Sequence, residues 1–90
     1  MKADTKKVSL LLKTARGQLD GILKMIEDDR YCIDISNQIQ ATTSILRKAN
    51  TEVLTAHMHH CVRQSFLDGN EIDRETKMNE LIRILEKSTK

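Results

Sequence analysis

Ninety residues allow one small domain, and fifteen Lys and Arg against thirteen Asp and Glu leave a net charge of +2, too balanced for a histone-like or polybasic protein. Two aromatic residues, Tyr31 and Phe66, cannot build a stacking platform for single-stranded nucleic acid. The absence of proline and the three glycines exclude the turn-rich chemistry of an all-β fold, no apolar run nears the ~18–20 residues of a membrane span, and the stretch after MKADTKK is too short for a signal peptide, so a cytoplasmic protein is expected.

The predicted elements are three helices in a single domain, residues 1–90. Helix 1 covers about 5–27: Val8, Leu11, Leu12, Ala15, Leu19, Ile22, Leu23 and Ile26 recur at three- and four-residue steps, with Asp4 or Thr5 as the cap and Glu27-Asp28-Asp29 as the stop. Helix 2 covers about 30–67. Ile35, Ile39, Leu46, Ala49, Val53 and Val62 mark its main face, Ile33, Ile45, Leu54, Met58 and Phe66 widen it, and Asp68-Gly69-Asn70 ends it with glycine at the left-handed position. Helix 3 covers about 72–87, opens on the acidic Asp73 and Glu75, and points Met78, Leu81, Ile82 and Leu85 inward.

Helix 2 would be a rod of roughly 55 Å at 1.5 Å per residue, too long for two shorter helices to cover. The economical solution is an all-α homodimer in which helices 1 and 2 of two chains form an antiparallel four-helix bundle, with helix 3 capping the end or joining dimers together.

The reactive residues are few. His57 and Cys61 stand four apart on one helix face, a two-ligand clip. Cys32 lies 25 residues before His57 and 29 before Cys61, within about 20° of whole helical turns in both cases, so all three share one stripe. Along one helix Cys32 and His57 would be about 37 Å apart, so they meet only between two antiparallel copies, with the two-fold axis near Ile45 and Leu46.

Two thiolates and an imidazole make a soft three-ligand set that suits Cu(I), whereas structural zinc asks for a fourth ligand. The same two thiols, Cys32 and Cys61, also suit redox chemistry, as a disulfide or a bridge through added sulfur. The plainest alternative makes both cysteines small core residues. No glycine-rich turn or oxyanion loop accompanies the Cys–His pair, so no enzyme is expected. Tyr31, beside Cys32, is either a hydrogen-bonding group behind the ligands or a half-buried anchor.

Taken together, Arg16-Gly17-Gln18-Leu19-Asp20-Gly21-Ile22, Met25-Ile26-Glu27-Asp28, Tyr31-Cys32, Gln38-Ile39 and His57 with Cys61 resemble the copper-sensitive operon repressor family over about residues 8–85. The resemblance implies a dimer that pairs into a flat tetramer, binds operator DNA without a helix-turn-helix, and represses until an inducer binds. It places Cys32, His57 and Cys61 at the Cu(I) ligand positions. It also implies a supporting pair, Tyr31 and a helix 3 glutamate, for which Glu80 is the candidate although simple counting lands nearer Lys77. Cys61 departs from the nickel and cobalt relatives. His57 departs from most persulfide-sensing relatives, whose two cysteines are nevertheless present here. A metal or thiol carrier that binds no DNA is the remaining alternative.

Residues 2–24 hold six basic groups against Asp4 and Asp20, while the remainder holds nine against eleven. This excess supports a phosphate-binding surface over a carrier. Leu11 stands where relatives often carry arginine, which leaves Lys6, Lys7, Lys13 and Arg16 on helix 1 and Arg47 and Lys48 on helix 2 as the expected DNA contacts.

Overall fold

In the computed structural model the described residues are 1–68 and 71–88, apart from the side chains at 65, 66, 68, 71, 73 and 88. They form α1 (Thr5–Glu27), α2 (Cys32–Asp68) and α3 (Glu71–Ser88). The expected glycine stop at 69 and 70, and the side chains of Phe66 and Asp73, lie outside the described residues.

Asp4 caps α1: its Oδ1 accepts the backbone N–H groups of Lys6 at 3.0 Å and Lys7 at 3.3 Å. The far end closes by a Schellman turn. The Asp29 N–H donates to the Ile26 carbonyl and the Arg30 N–H to the Met25 carbonyl, at 3.1 and 3.0 Å. Asp29 takes the left-handed position of that turn, at φ 53°, where glycine is the usual occupant. This turn uses up Arg30, so α2 begins at Cys32, two residues later than the periodicity predicts. The Tyr31 carbonyl accepts the first helical bond, from the Ile35 N–H at 3.2 Å.

Helix α1 folds back on α2 along a line spaced in sevens, Val8, Ala15 and Ile22, all buried. Ala49 and Thr42 are buried on α2. Thr42 is 3% exposed and polar; its hydroxyl donates to Gln18 Oε1 at 2.8 Å, which ties the two helices in mid-hairpin. Lys7 and Glu52 pair at 2.9 Å nearer the open end.

The chain measures 59 × 27 × 12 Å, so it is about one helix thick. Its radius of gyration is 17.9 Å, against about 12 Å for a compact 90-residue domain. Its accessible surface is 7126 Å², against about 5,400 Å² for a folded monomer of this mass. The excess is apolar in part: Leu12, Leu19, Leu23 and Ile26 are exposed on α1, and Ile39 and Leu46 on α2. On α3 Leu81 is buried, but Met78, Ile82 and Leu85, expected to face inward, are exposed. In this single layer α1 and α3 each pack on α2 alone, so one apolar stripe stays open in the lone chain.

Candidate metal centre

One turn of α2 carries His57 and Cys61, and their side chains meet, Nε2 to Sγ, at 3.3 Å. Two ligands on a metal with bonds of about 2.0 and 2.3 Å stand roughly 3.6–3.8 Å apart, so the pair needs to open by only a few tenths of an ångström. Cys61 is a free thiol and 7% exposed.

Helix α3 runs back along this end of α2 and adds two polar groups three residues apart. Lys77 Nζ lies 4.0 Å from the Cys61 sulfur. Glu80 Oε1 lies 3.7 Å from His57 Nε2. Leu81, buried beside Glu80, seats this face of α3. Both His57 and Glu80 remain about half exposed, and Glu80 faces the same nitrogen, Nε2, as Cys61, so a metal bound between Nε2 and Sγ would displace Glu80 from that nitrogen. Counting along the sequence left position 77 or 80 as the supporting residue; three residues are just under one turn, so both reach this end of α2, Lys77 at Cys61 and Glu80 at His57. Lys77 was visible to sequence reasoning only as a rival position for the glutamate, because nothing in a lone lysine marks it as a thiol's neighbour.

Cys32 is a free, exposed thiol at the opposite end of α2, about 43 Å from Cys61 along the helix. Tyr31, 65% exposed, sits at that same far end. Among the described residues no three His, Cys, Asp or Glu side chains within one chain form a metal-binding group. Within one chain Cys32 and the His57–Cys61 pair therefore stand apart, at opposite ends of α2. Cys32 lies on the open apolar stripe, in a seven-residue series with Ile39 and Leu46 that are likewise exposed.

The remaining expected residues are on the surface. Lys6, Lys13 and Arg16 are exposed on α1. Lys7, Arg47 and Lys48 line an open groove of about 580 Å³ between α1 and α2, with Leu11 in its wall and Glu52 at Lys7. His60, next to Cys61, is half-buried rather than fully surface. Its pKa falls below the ordinary 6.5 through loss of solvent first, then through its neighbours Lys2, His57, Lys77 and Arg63. The described helices include none long and apolar enough to cross a membrane.

The profile of the metal-sensitive transcriptional repressor family matches residues 4–87. The chain belongs to that family. A relative, the copper-sensing transcriptional repressor CsoR of Mycobacterium ulcerans (strain Agy99), is 46% identical over 67 residues, which cover 73% of this chain and 57% of the relative. The chain spans about half the length of the curated relatives it matches. Among solved structures, the copper-sensing repressor CsoR with Cu(I) from Geobacillus thermodenitrificans NG80-2 superposes with a TM-score of 0.79 at 35% identity, covering 94% of this chain and 85% of that one. The nickel-responsive transcriptional regulator InrS superposes with a TM-score of 0.82 at 23% identity, over 98% and 96% of the two chains. At that identity the likeness concerns the three-helix fold alone. A metal-sensitive repressor of this shape is thus not assigned its metal by its fold; the ligand set has to decide.

Proposed function

We propose that the protein is a DNA-binding transcriptional repressor that leaves its operator when Cu(I) binds, the ion being held by Cys32 of one copy and His57 and Cys61 of another. The observation that carries this reading is the division of the ligands: a near-formed imidazole–thiol pair at one end of α2, and a free thiol about 43 Å away at the other end of the same helix. Antiparallel pairing of two α2 helices about Leu46 brings the ends together twice, and it covers the open stripe of Ile39 and Leu46. The similarity to repressors named as copper-sensing supports the choice of ion.

Bound there, Cu(I) supplies soft bonds to two sulfurs and one nitrogen from two chains. The protein's own residues do the rest. Glu80 stands beside the His57 ring on α3 as the carboxylate that the ion would displace from Nε2, and Lys77 places a positive charge beside the Cys61 thiolate. Tyr31 accompanies Cys32 and, in the paired arrangement, faces the far end of the other copy's α2. Closing the site fixes the two α2 helices relative to each other, and coupling of 1–3 kcal/mol, 5- to 150-fold in affinity, releases DNA. Lys6, Lys7, Lys13 and Arg16, with Arg47 and Lys48, form the phosphate-binding surface. Dimers pair into a homotetramer in the cytoplasm, with no catalytic role.

The test is an anaerobic titration of the protein on a duplex from upstream of its own gene, read by anisotropy and intact mass. One Cu(I) per chain with DNA release is expected. Weak copper binding, with a persulfide donor that joins Cys32 to Cys61 of another chain and frees the DNA, would replace copper by reactive sulfur. Absence of any salt-dependent DNA binding would leave a metal or thiol carrier.

A further inference from the structure

A second concavity, of about 330 Å³, lies where the segment before α1 crosses the last turns of α2, and it is lined by Lys2, Ala56, His59, His60 and Arg63. Four of these five side chains are hydrogen-bond donors or cations, and among the described residues no carboxylate lines the cavity. The groove around Lys7 differs in this respect, since Glu52 already answers its lysine at 2.9 Å. Ala56 is the one small residue of the set and leaves the floor open. Lys2 and Arg63 bring two permanent positive charges to this cavity. Such a field is satisfied by an anion.

We infer that Lys2, His59, His60 and Arg63 form a seat for one phosphate of the DNA backbone, on the reverse side of the turn that carries the sensor. This rests on the repressor reading above. Cys61 and Arg63 are two residues apart, as are His57 and His59, so in each pair the side chains point about 200° apart around the helix. The same turn presents ligands on one side and donors on the other. Arg47 and Lys48 lie about 10 residues further back along α2, roughly 15 Å from the sensor. The seat is therefore the phosphate-binding group whose position the sensor turn governs most directly.

The test uses the full chain with a random-sequence duplex across a salt series. Lys2→Gln with Arg63→Gln should weaken binding about tenfold and reduce the magnitude of the log–log salt slope by about 0.9 for each phosphate no longer neutralised. Circular dichroism and size-exclusion elution should stay unchanged. In a parallel arm, the His59 and His60 ring signals are followed by NMR at fixed pH as duplex or inorganic phosphate is added. Shifts with duplex that the double variant loses support the seat. Shifts with inorganic phosphate alone assign the cavity to a free anion and overturn the DNA occupant. Unchanged affinity and slope in the double variant, while Lys48→Gln still weakens binding, overturn the seat and leave the repressor reading standing. A wild-type chain that binds no duplex overturns both.

Discussion

The two ends of α2 are built differently. Its first residue, Cys32, is exposed, whereas Cys61 near its other end is buried, with an imidazole at 3.3 Å and a lysine ammonium at 4.0 Å. Helix α3 accounts for the contrast, because it packs only on the second end and brings Lys77 and Glu80 with it. In the proposed site one half would be preorganised by its own chain, and the other would be an accessible thiol supplied by a second copy. Ordering two of three ligands beforehand lowers the entropy lost when the third arrives.

Equal dependence of copper binding on both ends, with unequal dependence of folding, is the sharpest test of that contrast. Cys32→Ser and Cys61→Ser should each weaken Cu(I) by at least about a thousandfold, near 4 kcal/mol, in a competition titration against a chelator. Cys61→Ser alone should also lower the melting temperature, by several degrees, since only Cys61 is packed. Equal melting temperatures for the two variants would break the distinction between a fixed and an incoming half.

Placing a charge midway between the ends separates them without touching a ligand. Leu46→Glu, on the exposed stripe, should shift the protein to monomers in analytical ultracentrifugation and abolish the three-ligand copper site while α1 and α2 remain helical. A dimer that survives with copper affinity unchanged would place the pairing surface elsewhere.

The supporting residues on α3 come next. Glu80→Gln and Lys77→Met should each cost 10- to 100-fold in copper affinity or in copper-induced DNA release, with apo DNA binding retained. Effects under twofold at both positions would reduce α3 to a packing element. The smallest effect is expected in the hairpin. Thr42→Val removes the bond to Gln18 and should cost about 1 kcal/mol, seen as a fall of roughly 4–8 °C in melting temperature at fixed protomer concentration, with copper binding intact.

The helices and the His57–Cys61 contact were legible because both follow from a periodicity of 3.6. The start of α2 was not, because an aspartate at φ 53° closes the Schellman turn where a glycine would have announced it. The inward face of α3 was misplaced in part: Met78, Ile82 and Leu85 have helical spacing but stay exposed, while Leu81 is buried and Ile84 half-buried. The Gln18–Thr42 bond was invisible, since it joins two ordinary polar residues 24 positions apart whose partnership depends on the hairpin register. The donor-lined cavity was equally hidden, because it draws Lys2 from before α1 to meet Arg63 near the end of α2.

The spacing of seven along the buried line of α1, Val8 to Ala15 to Ile22, bears on how such a chain tolerates insertions and deletions. In a two-fold antiparallel pair the symmetry axis sits at the midpoint whatever the length of α2, so the separation of Cys32 from His57 is not itself constrained. Phase is. One extra residue between them would turn the thiol about 100° off its face, whereas seven would return it to within about 20°. Removing seven residues from α1 together with seven from α2 would preserve both the hairpin line and the phase of the ligands. Length variation in this architecture should accordingly come in matched heptads, and a single-codon deletion inside α2 should inactivate sensing more completely than most substitutions.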